Sequence, residues 1–368
     1  MQSPKEKIEP PRIHWIDNLK AILFLIGLIY HLRSLFIRKS WDYDYILTHQ
    51  NNFSSTDTIF WFLHLFRIQI FFIVSGYLFY KYLEPNKSKL DSLKKITTSI
   101  LVPTIFSIIL ILPLTSFLRR VVALKIKKDE FIWDIPFGKT VEAFFGGTQS
   151  LSYLWYLVYL LLFQTISILG KKYFKNFSFI LPIILFVGFL SVASISGVFS
   201  IGDPYHMTLK NFNFEVFGYY FLFFVLGIFL ARRKRNLITQ KILLIFVFLT
   251  YLVIHYFAVF FQSHLTEIFY FAAMKFFIFM LSVSLSLSIF QSFETYFNSE
   301  TKFLNQISKY SMSLYIFHFI YLTIGFLIGS LFTASNLVLV VLSLGLTLLF
   351  CFAHIQILKL GFFRNRNN

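Results

Sequence analysis

The chain alternates long apolar runs with short polar stretches. Ten of the apolar runs approach the length of about 20 residues that a helix needs to cross a bilayer. Gly, Pro and charged residues separate them, as at residues 84–87 and 232–235. The pattern predicts an all-α, polytopic membrane protein with about ten transmembrane helices. The predicted spans cover residues 16–36, 60–80, 99–118, 152–170, 179–199, 214–231, 242–261, 268–291, 310–330 and 336–358.

The apolar runs leave no room for a separate soluble domain. No gap between them is long enough to fold alone, and the chain contains no internal repeat. The polar segment 1–14 does not have the features of a cleaved signal, because the apolar run that follows is long and lacks a small-residue cleavage site. We therefore expect residues 1–368 to form a single integral-membrane domain.

Composition excludes most soluble classes of protein. Hydrophobic residues make up 57% of the chain and charged residues 14%, whereas soluble proteins carry about 25% charged residues. Too few polar side chains remain to cover a water-facing surface, which argues against a soluble enzyme, a nucleic-acid-binding module or a disordered chain. The single cysteine, Cys351, cannot form an intrachain disulfide and is expected to be a small buried side chain.

The formal net charge of +17 fits a membrane protein whose basic residues face the cytoplasm. With the N-terminus inside, 21 Lys and Arg residues fall in predicted inner segments and 10 in outer loops. This bias predicts that both termini are cytoplasmic. The predicted outer loop 119–151 is an exception to this bias, because it contains six basic residues. Either an interfacial helix lies there or the number of spans is different.

The first span carries a stripe of polar residues. An eleven-residue step at about 100° per residue returns to within about 20° of its start, so Lys20 and His31 share one helix face. Asp17 lies within about 40° of His31 on the same reckoning, and Gly27 is on that face too. Ionisable groups inside a span are costly unless they are paired or hydrated, so this face is a candidate for function.

The second span carries a similar stripe. His64 and Ser75 lie on one face of the predicted helix, and Arg67 flanks it. With the predicted span ends, His31, His64 and Arg67 all lie about 6–10 Å inside the outer end of their helices. We therefore predict a water-accessible pocket that opens toward the outside.

Each of these residues also has a plainer interpretation. A histidine near a membrane surface is often only an interfacial side chain, which applies to His31 and His64. Arg67 fits a structural ion pair as well as a substrate contact. Asp17 fits a helix cap beside Lys20, and Lys20 itself fits a side chain that snorkels to the headgroups.

The remaining chemistry favours histidine as a general base. His318 lies near the middle of the span 310–330, where a hydrogen bond within the bundle is the plainer alternative. The sequence contains no zinc-binding spacing, no phosphate-binding glycine loop and no Gly-x-Ser-x-Gly elbow. We therefore expect no metal site, no permanently bound cofactor and proton transfer by an imidazole.

Four segments together resemble the acyltransferase-3 family of membrane-bound O-acyltransferases. The first is the spacing from Lys20 to His31, preceded by Asp17. The others read FRIQIFFIVSGY at residues 66–77, LWYL at 154–157 and SLYIFH at 313–318. They occur in the family's order and cover most of the chain. The second, with the segment around residues 212–214, resembles the branch of succinyltransferases that modify osmoregulated periplasmic glucans.

The resemblance implies a multi-pass protein of the bacterial inner membrane that uses a cytosolic acyl-CoA, either succinyl-CoA or acetyl-CoA. It implies His31 as the essential catalytic histidine and Asp17 as the acidic position beside the basic one. We assign donor binding or oxyanion stabilisation to Lys20, Arg67 and Trp155. The further candidates for substrate binding are His64, Ser75, Tyr153 and His318.

One residue departs from the family pattern. The basic position is usually Arg in the family and is Lys20 here. A lysine offers a point charge in place of the planar fork of an arginine. If the position makes a bidentate contact to phosphate or carboxylate, Lys20 makes it less well, whereas a purely electrostatic role is preserved.

The expected function is transfer of an acyl group, with succinyl preferred to acetyl, to a hydroxyl of an extracytoplasmic glycan. One alternative is an O-acetyltransferase of lipopolysaccharide or another surface polysaccharide. An alternative of another class is a carrier or flippase, although the two halves of the chain lack matching broken helices. The expected partners are membrane lipid, acyl-CoA and the glycan, without nucleic acid. The sequence leaves the oligomeric state open, with a homodimer as one option.

Overall fold

The computed structural model of the protein describes residues 12–36, 55–82, 88–128, 152–170, 214–232, 267–332 and 336–364. Within these ranges every regular element is helical, which confirms the all-α prediction. A short 3₁₀ turn, Ser152–Leu154, precedes the sixth helix. The helices are α1 His14–Phe36, α2 Ser55–Tyr82, α3 Lys89–Ile96, α4 Val102–Phe106, α5 Leu112–Lys128, α6 Trp155–Leu169, α7 Phe214–Arg232, α8 Glu267–Tyr296, α9 Lys302–Lys309, α10 Ser311–Phe332 and α11 Asn336–Arg364.

Eight of the ten predicted spans coincide with helices in the described part of the chain. The other two, 179–199 and 242–261, lie outside the described residues. Among the described residues, five helical segments are long and apolar enough to cross a membrane, and α6 and α7 are apolar but shorter. The five segments are His14–Leu32, Phe62–Tyr82, Lys89–Leu118, Ser311–Phe332 and Leu337–Leu360.

The third helical segment is longer than its predicted span 99–118. It comprises α3, α4 and α5, which are joined by π-helical turns at Thr97–Leu101 and Ser107–Ile111. Pro103 and Pro113 each follow one of these turns by two residues, and a proline lacks the N–H that a regular helix needs there. The helix continues to Lys128, so the first ten residues of the predicted loop 119–151 are helical, and residues 129–151 lie outside the described ranges.

Helices α2 and α7 cross at two glycines. A Cβ atom on Gly76 would overlap the carbonyl oxygen of Phe224, and one on Gly227 would overlap that of Ile73. The two main chains therefore touch with no side chain between them. Only glycine permits this approach, which explains why a glycine closes the Ser75–Gly76 pair of the second motif.

The packing places α1 between α2 and α10. Helix α1 runs antiparallel to α2, because Trp15 contacts Tyr77 at one end and Gly27 faces Arg67 farther along. Helix α2 runs parallel to α7, because Gln69 contacts Tyr219 and Phe79 contacts Phe224 farther along both helices. It also runs parallel to α8, because Leu65 contacts Ser282 and Tyr77 contacts Phe290. The site residues therefore project inward from helices that meet along α1.

Aromatic side chains fill the centre of the bundle. The Phe72 ring contacts four other rings, contributed by Trp155, Tyr156, Phe163 and Tyr220. Helix α11 is the most peripheral of the five candidate spans, with 28% of its apolar window buried. Cys351 on α11 is buried against the bundle, as predicted.

Candidate functional site

The proposed catalytic histidine faces a second histidine across the bundle. His31 on α1 is 8% exposed. Its ring lies 5.2 Å, centroid to centroid, from the ring of His318 on α10, and 5.4 Å from that of Phe319. His31 and His318 were predicted as separate candidates, and the structure brings their rings together.

Arg67 lies against the same part of α1. Its guanidinium carbon sits 4.4 Å from the centroid of the Tyr30 ring, in the geometry of a cation–π contact. A Cβ atom placed on Gly27 would lie 3.0 Å from the Arg67 Nη1 atom. Gly27 and Tyr30 are one helical turn apart, so they form a slot on α1 that holds the guanidinium. Arg67 is 5% exposed.

His64 joins this group through the same tyrosine. The imidazole of His64 stacks on the Tyr30 ring at 5.4 Å with an angle of 23° between the planes. Because His64 and Arg67 are three residues apart on α2, both reach Tyr30 from one helix face. The Tyr30 ring also lies 5.5 Å from His31, edge to face. Tyr30 thus links His64 and Arg67 of α2 to the candidate base, His31.

The 3₁₀ turn Ser152–Leu154, which precedes α6, contacts the far side of His318. Tyr153 places its ring 5.1 Å from His318 and stacks on Phe319 at 5.2 Å. Its hydroxyl donates a hydrogen bond of 2.8 Å to the carbonyl oxygen of Ile316, and the hydroxyl of Tyr315 donates to the Tyr153 carbonyl. These two bonds attach the 3₁₀ turn to α10. We call Tyr30, His31, His64, Arg67, Tyr153 and His318 the histidine cluster.

Asp17 and Lys20 form a separate group near the start of α1. The Lys20 Nζ atom lies 3.7 Å from Asp17 Oδ1, and Ser308 on α9 donates a 2.5 Å hydrogen bond to the same oxygen. Asn18 donates to the carbonyl oxygens of Phe297 and Ser299 at 2.8 and 2.9 Å. We call Asp17, Lys20 and Ser308 the lysine cluster.

The structure does not bring the lysine cluster to His31. At about 1.5 Å per residue, Lys20 lies about 16 Å and Asp17 about 21 Å from His31 along the axis of α1. Asp17 and Lys20 share a helix face with His31, but they are too far along the helix axis to contact it. Any role of Asp17 in catalysis has to act at a distance from the imidazole.

Trp155 and Ser75 lie in the aromatic centre beside the histidine cluster. Trp155 packs its ring against Phe72 and Tyr220 at 6.2 and 5.1 Å. Ser75 donates to the carbonyl oxygen of Phe71 at 2.8 Å, and its Oγ atom lies 2.9 Å from the Tyr156 hydroxyl. Tyr156 in turn contacts Tyr315 at 5.7 Å, and Tyr315 contacts His318 at 5.5 Å, so Ser75 is linked to the histidine cluster through Tyr156 and α10.

Sequence reasoning missed Tyr30 and Ser308. Tyr30 is the residue before His31, and an aromatic residue next to a candidate base, three positions after a glycine, was the available signal. Ser308 left no comparable signal, because 291 positions separate it from Asp17. Both contacts depend on how distant helices meet.

Comparison with known proteins now bears on this arrangement. A family profile described as an acyltransferase domain matches residues 13–356, nearly the whole chain. The chain belongs to the acyltransferase-3 family. The match includes every member of the histidine cluster and of the lysine cluster. This acyltransferase is therefore a transferase, and its apolar helices agree with a membrane protein.

The curated relatives of this acyltransferase include proteins named glucans biosynthesis protein C. Those from Salmonella paratyphi B, Salmonella dublin and Salmonella enteritidis are each 25% identical to it over 242 residues. The alignment covers 60% of the chain, and the chain spans only 58% of the length of these relatives. This confirms the resemblance to that branch. No solved structure matches the chain.

Proposed function

We propose that the protein transfers an acyl group, preferably succinyl, from cytosolic acyl-CoA to a hydroxyl of an extracytoplasmic glycan. Family membership supports the acyl transfer. The name of the relatives, glucans biosynthesis protein C, supports a glucan as the acceptor. We propose the inner membrane of a bacterium as the location of the protein. The identities of the acyl group and of the acceptor, and acyl-CoA as the co-substrate, are parts of the same proposal.

The observation that carries this proposal is that the buried His31 lies on the same turn of α1 as the slot between Gly27 and Tyr30, which holds Arg67 of α2. In the proposed reaction His31 takes the proton of the sugar hydroxyl, and the hydroxyl oxygen attacks the carbonyl carbon of the thioester. The carbon–sulfur bond breaks, and the CoA thiolate leaves and is protonated. A positioned base of this kind contributes about 10²–10⁴-fold to the rate.

Arg67 is the proposed stabiliser of negative charge in this step. The guanidinium is held between Gly27 and Tyr30 before substrate arrives, so it needs no rearrangement when charge develops. It is suited either to the oxyanion of the tetrahedral intermediate or to the distal carboxylate of a succinyl group. The loss of one oxyanion donor typically costs about 2.7–4 kcal/mol.

The lysine cluster is the proposed entry point for the donor. CoA is a polyanion, and Lys20 lies at the end of α1 that we propose faces the cytoplasm. The distance of about 16 Å from Lys20 to His31 along α1 suits an extended pantetheine arm that runs between them. Asp17 and Ser308 hold the ammonium group in place. In this role Asp17 supports donor binding and leaves the proton transfer to His31.

We further propose ten spans with both termini in the cytoplasm. The parallel course of α2, α7 and α8 supports this, since neighbouring helices with the same direction need an odd number of crossings between them. The predicted spans 179–199 and 242–261, outside the described residues, would supply the missing crossings between α6 and α7 and between α7 and α8.

The deciding experiment compares wild-type protein with His31→Ala. Purified protein in detergent is given succinyl-CoA or acetyl-CoA and a periplasmic glucan fraction, and release of the CoA thiol is followed. Mass spectrometry of the glucan then shows whether a succinyl or the lighter acetyl group was added. We expect wild-type turnover and a loss of at least about 10²-fold in His31→Ala.

Two results would contradict the proposal. A folded His31→Ala protein with wild-type turnover removes the proposed base. Wild-type protein that neither hydrolyses nor transfers any thioester, yet moves a glycan or lipid across vesicles, is a carrier. Transfer to lipopolysaccharide, with no modified glucan, selects the surface O-acetyltransferase instead.

A further inference from the structure

The backbone of α10 determines the tautomer of His318. The Nδ1 atom of His318 lies 2.5 Å from the carbonyl oxygen of Tyr315, one turn earlier in the same helix. A carbonyl oxygen only accepts hydrogen bonds, so Nδ1 carries the hydrogen. In the neutral ring the lone pair is then on Nε2. His318 therefore presents a hydrogen-bond acceptor to whatever lies beyond that nitrogen.

The direction of this acceptor follows from the same bond. Because Nδ1 faces its own helix, Nε2 on the other side of the ring points away from α10. The rings in contact with His318 belong to His31, Phe24, Tyr153, Tyr315 and Phe319. Both phenylalanines lack polar atoms, and the two tyrosine hydroxyls donate to the carbonyl oxygens of Ile316 and Tyr153. Among these rings, the one with an N–H to offer is His31, whereas the guanidinium of Arg67 is held at Gly27 and Tyr30.

We propose that His318 is the positioning residue of His31: its Nε2 atom accepts a hydrogen bond from one nitrogen of His31. The other nitrogen of His31 then keeps its lone pair for the proton of the sugar hydroxyl. This inference rests on the proposed role of His31 as the base. His31 holds the proton taken from the hydroxyl until it passes to the leaving CoA thiolate, and His318 remains neutral throughout.

The arrangement fills a role that in many general-base sites belongs to a carboxylate. Asp17, the acidic candidate on α1, lies about 21 Å from His31 along the helix axis, too far to orient it. A centroid separation of 5.2 Å brings the two imidazoles into contact. Catalytic hydrogen bonds often shorten only when substrate is bound, so the bond is expected in the substrate complex.

Two substitutions separate the acceptor from the rest of His318. His318→Gln places a carbonyl oxygen near the position of Nε2 and so restores an acceptor for His31. His318→Asn places its polar atoms near Nδ1, where they keep the bond to the Tyr315 carbonyl and offer His31 no acceptor. We expect His318→Asn to lower kcat by about 10- to 100-fold with little change in KM. We expect His318→Gln to retain most of the wild-type kcat.

His354 on α11 provides the matched control. It is also a histidine within the helix pair α10–α11, with its Nε2 atom 2.7 Å from Ser313 Oγ and its Nδ1 atom bonded to the Tyr321 hydroxyl. These contacts lie outside the histidine cluster. His354→Gln and His354→Asn should therefore have equal kcat values close to that of the wild type.

The assay follows thiol release from succinyl-CoA and acetyl-CoA with a periplasmic glucan fraction as acceptor. The inference is overturned if His318→Asn is as active as His318→Gln, or if folded His318→Gln is as inactive as His318→Asn. Turnover by His31→Ala, in contrast, overturns the proposed function itself. If His31→Ala is inert while His318→Asn is fully active, only the inference fails.

A second measurement does not depend on activity. Nitrogen-15 spectra of protein labelled at its nine histidines distinguish the two neutral tautomers of each ring, and His31→Ala assigns the His31 signals. With the periplasmic glucan fraction bound and no acyl-CoA present, we expect a single His31 tautomer in the wild type and a mixture in His318→Phe. A mixture in the wild type, or a single tautomer in folded His318→Phe, contradicts the inference.

Discussion

The guanidinium of Arg67 occupies the space that a side chain on Gly27 would need. The Nη1 atom lies 3.0 Å from the position of the missing Cβ, closer than nine in ten real Cβ contacts. The glycine on α1 and the arginine on α2 therefore depend on each other. Arg67 also packs on Tyr30, so its position beside the candidate base is set from two directions.

Gly27→Ala is expected to displace the guanidinium and to lower kcat by about 10- to 100-fold, because small misplacements of charged groups are costly in catalysis. The fold should survive, since the obstructing atom is the end of a flexible side chain. Thiol release and a thermal unfolding curve together test this. Gly345→Ala is the control, because a Cβ there meets nothing within 4 Å. Equal loss of activity in Gly27→Ala and Gly345→Ala would contradict the position of Arg67 in the slot between Gly27 and Tyr30.

The aromatic ring of Tyr30 is expected to matter more than its hydroxyl. Tyr30→Phe keeps the cation–π contact with Arg67 and the stack with His64, whereas Tyr30→Leu loses both. A contact of this kind contributes about 0.5–2 kcal/mol, so we expect Tyr30→Leu to lower kcat by about 10-fold and Tyr30→Phe to resemble the wild type. If Tyr30→Phe is as impaired as Tyr30→Leu, the hydroxyl has a role that the ring contacts do not explain.

The charge of Lys20 is expected to act on the donor. Lys20→Arg should keep the ion pair with Asp17 and the KM for acyl-CoA, whereas Lys20→Met should raise that KM. The difference between the two variants should shrink as salt is added, because salt screens the attraction between the partly exposed ammonium group and a polyanionic donor in solution. Initial rates over a range of donor concentrations measure this. Equal KM values for both variants at low salt would show that the charge does not contribute.

The crossing of α2 and α7 is expected to be intolerant of any side chain. Gly76→Ala or Gly227→Ala should lower the free energy of unfolding by about 1–3 kcal/mol or more, because the obstructing atoms belong to the backbone and cannot yield. A thermal unfolding midpoint in detergent checks this. Gly345→Ala should be neutral or slightly stabilising, since alanine favours helix over glycine by about 1 kcal/mol. A folded Gly76→Ala with the wild-type midpoint would contradict the close crossing.

Both termini are expected to lie in the cytoplasm. In a Cys351→Ala background, an impermeant maleimide should label a cysteine at position 52 in intact cells. Cysteines at positions 3 and 368 should react only after the membrane is opened. Cys351 is small and buried, and its replacement by alanine removes a single sulfur atom. Labelling of position 3 in intact cells would reverse the orientation.

The helices were predictable from sequence because each buries or exposes a continuous apolar run. The predicted spans 214–231 and 310–330 end within two residues of α7 and α10. The third segment was predicted too short, because Lys89 to Ile96 and residues beyond 118 are polar enough to resemble loops although they continue the helix. Hydropathy indicates which residues lie within the lipid, and a helix can continue beyond those residues into the polar region.

The site was predictable in its parts and only partly in its arrangement. His31, His64 and Arg67 were expected at one level, and Tyr30 in the structure joins all three. The angular positions around α1 also predicted that Asp17 lies on the face of His31. Such positions do not include the distance along the helix axis, which separates the two residues. The pairing of His31 with His318 depends on the packing of α1 against α10, which local sequence does not encode.

The contact between Gly76 and Gly227 also restricts how the protein can open. No side chain separates the two main chains there, so α2 cannot roll or slide on α7 without a collision. Arg67 is less than two turns from Ile73 at this contact and stays at a fixed height. For the proposed sugar acceptor to reach His31, α1 or α10 therefore has to move relative to the pair of helices α2 and α7, which stays together.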